Sequence, residues 1–109
     1  AMNDLMRPSL YEAWHNVLPV VKREIPLKRY DVVGPICESG DWLARQRDLA
    51  VDADDYLAVM SAGAYGMTMS SNYNTRGRPA EVWVDGKQVH LIRRRENVEA
   101  LFALETVVD

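Results

Sequence analysis

The clearest strand-like pattern of apolar and polar positions lies in residues 81–92. Two such runs, residues 81–84 and 87–92, flank Asp85 and Gly86. An Asp-Gly pair between strand-like runs is the strongest short-range signature of a two-residue hairpin, in which both turn residues take positive φ. We therefore predict a β-hairpin that turns at Asp85-Gly86. We expect the side chains of residues 82–84 to alternate between core and surface.

Shorter apolar runs predict further strands upstream of this hairpin. Residues 13–21 alternate only partly, and Pro19 restricts them to an edge strand or a bulged one. Residues 56–60 are apolar without interruption, which is typical of a central buried strand. A short strand is expected at residues 30–33, and residues 42–49 fit either one or two helical turns or an irregular strand.

The segments between these runs carry turn and loop signals. Residues 1–12 predict a turn or one helical turn, with Arg7 extended because a proline follows it. Residues 61–74 place small residues and two glycines around Tyr65, which predicts a loop whose backbone can approach another group closely. Asn97 is positioned to cap a short helix.

The number and length of these elements indicate the fold class. Four or five short strands with turn signals and little helix predict a mainly β domain, a small barrel or sandwich. Residues 106–109 either fray or add a last strand. With 109 residues, 48% of them apolar, the chain can bury one core, and we expect one domain.

Charge, hydropathy and cysteine content argue against several classes of function. The formal charge of -3 lacks the basic excess that nucleic-acid binding needs, and we interpret Arg93-Arg94-Arg95 as a solvated strand end. No apolar run approaches the roughly 20 residues that span a bilayer, and no secretory signal is recognisable. His15 and His90 lack the spacing of metal ligands, so we interpret both as structural and expect no metal. We expect a soluble, cytoplasmic protein.

The segment from Gly34 to Asp41 holds the candidate chemistry. It contains the single cysteine, Cys37, beside Glu38, between glycine and proline residues that interrupt regular structure. The segment should form a turn that presents a thiol and a carboxylate at a strand end. Spacing alone favours a second interpretation, in which Cys37 is a small buried apolar residue and the acidic residues cap the turn.

Five segments, taken in order, resemble the C-terminal domain of the diaminopimelate decarboxylase family: residues 3–11, 34–41, 63–66, 70–74 and 78–82. That family consists of pyridoxal-phosphate enzymes of the alanine racemase-like fold (fold type III). A TIM barrel carries the cofactor, and a β domain completes the active site across a homodimer. The resemblance implies that residues 1–109 are this β-barrel or sandwich domain, with the TIM barrel and the N-terminal strands absent from the chain. It also implies that the chain alone is inactive, because the cofactor-bearing lysine is absent from it, and that the barrel would bind most of the pyridoxal 5′-phosphate.

The resemblance assigns roles to five residues. Cys37 matches the family's proton donor, offered from the partner subunit, and thiols in model peptides are mostly protonated at neutral pH. Glu38 would bind an ammonium group of the substrate. Arg7 would grip the distal carboxylate of meso-diaminopimelate with the help of Tyr11. Tyr65 would contact both the cofactor phosphate and the substrate. Four other residues lie in matching segments, and we assign them to turn shaping and the dimer interface: Ser39, Asp41, Tyr73 and Asn74.

Three functions remain in competition. The first is the conversion of meso-2,6-diaminopimelate to L-lysine and carbon dioxide, in lysine biosynthesis. The second is a related decarboxylation of ornithine, arginine or carboxynorspermidine, although an arginine at position 7 needs an anion at the far end of the substrate, which ornithine lacks. The third is a β module that regulates such an enzyme without catalysis.

Overall fold

The computed structural model describes residues 1–108 and is mainly β with short helical segments, which confirms the predicted class. The chain folds in the order α1 (Arg7–Tyr11), β1 (Val17–Pro19), β2 (Lys28–Val33), β3 (Trp42–Leu49), β4 (Leu57–Val59), α2 (Gly66–Met69), β5 (Glu81–Asp85) and β6 (Gln88–Arg93). Two 3₁₀ turns lie at Tyr73–Thr75 and Glu99–Phe102. The strands form three antiparallel pairs, β1 with β4, β2 with β3, and β5 with β6.

A small core lies between the first two strand pairs. Its buried centre consists of Val17 from β1 with Ala44 and Leu49 from β3. Half-buried side chains from β2, β4 and the loop between β3 and β4 pack around this centre. The core therefore fixes the β2–β3 hairpin against the β1–β4 pair.

The β2–β3 hairpin is irregular, which decides between the two alternatives for residues 42–49 in favour of a strand. Tyr30 pairs with Arg47, whereas Val32 pairs with Ala44, so β3 has one extra residue between these pairs. Gln46 takes a positive φ of 53° there, and its N–H donates to the Asp31 carboxylate at 2.7 Å. A bulge bends the strand that carries it. A second irregularity, between the Val32–Ala44 and Val33–Trp42 pairs, lies at the end of the hairpin that carries residues 34–41.

The predicted second hairpin is confirmed, but its turn lies one residue further along. Asp85 is the last residue of β5 and pairs with Gln88, so the loop consists of Gly86 and Lys87. Gly86 has a φ of 57°, whereas Lys87 has no positive φ. The expectation of two positive φ angles was therefore wrong. A glycine at the first loop position supplies the single left-handed residue of a II′-type turn.

The β5–β6 hairpin is exposed on both faces, so the expected alternation of residues 82–84 is wrong for this chain. Val82, Trp83 and Val84 are 57%, 63% and 60% exposed. Val89, Leu91 and Ile92 on β6 are exposed as well. The radius of gyration is 16.4 Å, against about 13 Å for a compact chain of this length. An exposed apolar surface, which the resemblance to part of a larger domain leads us to expect, is present.

Three local predictions also need correction. Arg7 begins α1 instead of extending, because Pro8 lies in the first helical turn, where its missing N–H removes no hydrogen bond. Strand β4 is half-buried and pairs only with β1, so it is not a central buried strand. The loop at residues 61–74 contains α2.

Two predictions concern the end of the chain, the Asn97 cap and the last residues. The Asn97 side chain accepts a hydrogen bond from the Ala100 N–H at 2.8 Å, as a cap of the 3₁₀ turn. Residues 106–108 form no strand, and Asp109 lies outside the described residues. Within residues 1–108, no helix is both long and apolar enough to cross a bilayer.

Candidate functional site

The turn between β2 and β3 presents Cys37 and Glu38 to solvent, as predicted. The Glu38 N–H donates to the Ile36 carbonyl at 2.8 Å, and the Asp41 N–H donates to the Glu38 carbonyl at 3.0 Å. The alternative of a buried cysteine is wrong, because the side chain stands on the outer part of this tight turn. The thiol and the adjacent carboxylate are both accessible to a ligand.

Asp41 fastens this turn to the N-terminal segment. Its side chain is buried, with one oxygen accepting the Ile36 N–H at 2.7 Å and the other accepting the Met2 N–H at 2.6 Å. Gly34 leaves the necessary space, because a Cβ there would lie 2.2 Å from an Asp41 carboxylate oxygen. The assignment of Asp41 to turn shaping accounts for the bond to Ile36 but not for the bond to Met2. The bond to Met2, 39 residues away in sequence, has no local sequence signal.

Arg7, Tyr11 and Tyr65 form a second group. The guanidinium carbon of Arg7 lies 5.5 Å from the ring centroid of Tyr11, one helical turn along α1, and 5.4 Å from that of Tyr65. Both distances are within the range of cation–π attraction. Tyr65 is 65% exposed and takes a left-handed φ of 63° just before α2. Within residues 1–108 Arg7 forms no ion pair, so its charge is available to an anion.

The two groups lie on segments that pack together. A Cβ on Gly40, in the Cys37 turn, would lie 3.0 Å from the Ser9 hydroxyl oxygen in α1. The Asp41–Met2 bond joins the same two segments. No hydrogen bond or ion pair in the described part of the chain connects Cys37 or Glu38 directly to the Arg7 group. The five predicted residues therefore form two groups on adjacent segments, rather than one contact network.

Tyr73 is a neighbour of this site that sequence reasoning placed only in turns and a dimer interface. Its hydroxyl donates to the Glu38 carboxylate at 2.5 Å. That bond and the charge of Glu38 raise the pKa of the Tyr73 phenol above its ordinary value. An open cavity of about 460 Å³ adjoins the pair and is lined by Met2, Met6, Glu38, Ser71 and Tyr73.

The segment that carries Tyr73 is tied down on both sides. Before it, the Ser71 N–H donates to the carbonyl of the fully buried Asn3 at 2.9 Å. The Asn72 side-chain amide, also before it, donates to Glu96 at 2.7 Å, and after it the Arg78 N–H donates to the same carboxylate at 2.9 Å. These two bonds hold the pKa of Glu96 below its ordinary value.

The two histidines lie away from both groups. His15 is buried, with Nδ1 3.1 Å from the Met60 carbonyl oxygen, as expected of a structural residue. His90 is exposed on β6. Among residues 1–108, no cluster of three or more histidine, cysteine or acidic side chains could hold a metal ion.

Comparison with known proteins identifies the family. The profile described as pyridoxal-dependent decarboxylase, C-terminal sheet domain, matches residues 1–63, which include every residue of both groups except Tyr65. The chain belongs to this family. Membership in the pyridoxal-dependent decarboxylases confirms the fold and the family that the five segments indicated.

Relatives of the chain within this family are named diaminopimelate decarboxylases. The diaminopimelate decarboxylase of Pseudomonas aeruginosa is 62% identical over 108 residues, which are 99% of this chain and 26% of that protein. That of Vibrio cholerae is 55% identical over the same share. The crystal structure of diaminopimelate decarboxylase from M. jannaschii with L-lysine superposes with a TM-score of 0.92 at 42% identity, covering 98% of this chain and 25% of that one. The chain thus spans about a quarter of these pyridoxal-dependent decarboxylases.

Proposed function

We propose that residues 1–109 are the C-terminal β domain of a decarboxylase that converts meso-2,6-diaminopimelate to L-lysine and carbon dioxide. The observation that carries this proposal is the charge of Arg7, which lies between two tyrosine rings without an ion partner among residues 1–108, on the segment fastened to the Cys37 turn. The name shared by relatives in several bacteria supports the choice of substrate.

Arg7 and Tyr11 select the substrate in this proposal. A guanidinium offers paired donors that match a carboxylate, and Tyr11 lies close enough to limit where that carboxylate sits. Diaminopimelate carries a carboxylate at each end, whereas ornithine ends in an amine at the far end. Arg7 therefore favours diaminopimelate over substrates that form simple diamines.

Cys37 and Glu38 supply the proton and the ammonium site. The thiol is exposed at the tip of the turn, where it can hold a proton at Sγ and deliver it to the substrate carbon that has lost carbon dioxide. Glu38 is the adjacent residue, so its carboxylate can pair with a substrate ammonium group while the thiol faces the reacting carbon.

Tyr65 is the residue of this chain that would hold the cofactor. Its exposed phenol offers a hydrogen-bond donor, and the neighbouring Arg7 guanidinium offers a positive charge. Together they suit a phosphate or a carboxylate. Pyridoxal 5′-phosphate, when bound, supplies the electron sink for loss of carbon dioxide. We assign most of its contacts to a TIM barrel outside these residues.

The assembly we propose is a homodimer in which the Cys37 turn of one subunit completes the site of the other. The barrel and further strands of the sheet would cover the apolar side chains of the β5–β6 hairpin, which a two-stranded hairpin alone leaves in water. A cytoplasmic location fits an exposed thiol that must stay reduced to give up a proton.

The test uses the longer polypeptide that carries this chain, supplied with pyridoxal 5′-phosphate. Carbon dioxide release should be faster with meso-diaminopimelate than with ornithine, arginine or carboxynorspermidine, and the 109-residue chain alone should release none. Mixing a Cys37→Ala subunit with one that lacks the cofactor lysine should restore activity in part. Release from ornithine but not from diaminopimelate would contradict the proposed substrate, and no recovery on mixing, while wild-type subunits exchange, would contradict the shared site.

A further inference from the structure

We infer that Tyr73 is a positioning residue for this decarboxylation, with its hydroxyl holding the Glu38 carboxylate beside Cys37. The inference rests on the proposed function, since it gives Tyr73 a task only if Glu38 binds a substrate ammonium group. It assigns a role to a residue outside the five that the family resemblance singled out.

The contact leaves the two oxygens of the Glu38 carboxylate in different states of hydrogen bonding. The Tyr73 hydroxyl donates to Oε2 at 2.5 Å, a short bond of the kind that charged acceptors form. Oε1 accepts no hydrogen bond within residues 1–108, and it lies 3.4 Å from the place where a Cβ on Gly40 would be. One oxygen is therefore held by the protein, and the other remains available for an ammonium group.

The backbone around Tyr73 is shaped to make this contact. Asn74 and Thr75 follow it with left-handed φ values of 60° and 57°. Asparagine tolerates this conformation better than most residues, but a β-branched threonine is strained in it, so the surrounding structure must impose it on Thr75. The bonds from Ser71 to Asn3 and from Asn72 to Glu96 are the restraints that do so.

The same N-terminal segment holds both partners of the contact. Met2 is bonded to Asp41 of the Cys37 turn, and the next residue, Asn3, is bonded to Ser71 of the Tyr73 segment. Three segments distant in sequence are thus fixed around one point. The pair that results lies in the wall of the open cavity beside Met2 and Met6, where a bound molecule can reach it.

The experiment is a double-mutant cycle in the longer decarboxylase loaded with pyridoxal 5′-phosphate, with meso-diaminopimelate as substrate. Tyr73→Phe removes only the hydroxyl, and Glu38→Ala removes its acceptor. Loss of one hydrogen bond to a charged group should lower kcat/KM about tenfold, mainly through a higher KM. Tyr56→Phe is the matched control, because that tyrosine is 81% exposed and its hydroxyl makes no hydrogen bond within residues 1–108.

The cycle separates positioning from a general structural role. If Tyr73 acts through Glu38, adding Tyr73→Phe to Glu38→Ala should change kcat/KM less than twofold, because interacting residues are not additive. An equal loss in both backgrounds would overturn the inference, as would a Tyr73→Phe enzyme as active as the Tyr56→Phe control. A wild-type enzyme without turnover of diaminopimelate would overturn the proposed function itself, which is a different result.

Discussion

Replacing Asp41 should loosen the Cys37 turn without changing any residue that would touch the substrate. Its two oxygens accept the buried N–H groups of Met2 and Ile36 at 2.6 and 2.7 Å. Each hydrogen bond to a charged acceptor contributes roughly 1.5–3 kcal/mol, and a buried N–H left without a partner loses that contribution. Since about 1.4 kcal/mol is a factor of ten, each affected amide should exchange its hydrogen roughly tenfold to a hundredfold faster.

The two substitutions at this position should differ. Asp41→Ala removes both acceptors, so the amides of Met2 and Ile36 should both lose protection. Asp41→Asn keeps one acceptor oxygen and presents an NH₂ group on the other side, so one of the two amides should stay protected. In the longer decarboxylase, both variants should also lower kcat, because the turn that presents Cys37 is no longer held against the segment of Arg7.

Hydrogen exchange measured amide by amide in the 109-residue chain, or by fragment in the longer protein, is the assay. Asp31→Ala is the matched control, because Asp31 accepts one backbone N–H, that of Gln46, at 2.7 Å but is exposed. Water can replace that acceptor, so the Gln46 amide should change much less. Unchanged protection of Met2 and Ile36 in Asp41→Ala would refute the fastening role of this carboxylate.

Four further predictions concern the site and the exposed sheet. In the longer enzyme, Cys37→Ala should lower kcat by about 10²–10⁴-fold with little change in KM, whereas Arg7→Ala should raise KM and weaken discrimination between diaminopimelate and lysine. Following phenolate absorbance should show Tyr73 ionising at lower pH after Glu38→Ala, because Glu38 raises the pKa of Tyr73 above 10.0. Because the pKa of Tyr73 is raised, the phenol keeps its proton below pH 10.0, and the contribution of the contact to stability is lost as the pH rises through the raised pKa. Light scattering should detect association of the 109-residue chain through its exposed hairpin and less association after Val84→Lys, and a monomer at high concentration would contradict this.

Sequence reasoning succeeded where the determining interactions are local. The β5–β6 hairpin follows from a glycine at its turn, and the turn that carries Cys37 follows from the glycines and proline of its own segment. The prediction that Arg7 is extended was wrong for a local reason as well. A proline disfavours helix at the residue before it, but it is also favourable in the first turn of a helix, where Pro8 lies.

Features that depend on distant residues could not be predicted in this way. The burial of residues 82–84 depends on what packs against the hairpin, and alternation within a strand carries no information about that partner. The contact between Tyr73 and Glu38 joins residues 35 positions apart through a strained loop. Family resemblance led to Arg7, Tyr11 and Tyr65, whose contact across 58 residues no periodicity in the chain predicts.

The bonding of Asp41 restricts sequence variation at two positions in an unusual way. Its partners are the backbone N–H groups of Met2 and Ile36, not their side chains. Other apolar residues can therefore replace Met2 and Ile36 over generations and keep the anchor intact. Proline is the exception, because it has no N–H to donate. A collection of variants selected for activity should accordingly admit many residues at positions 2 and 36 but exclude proline from both.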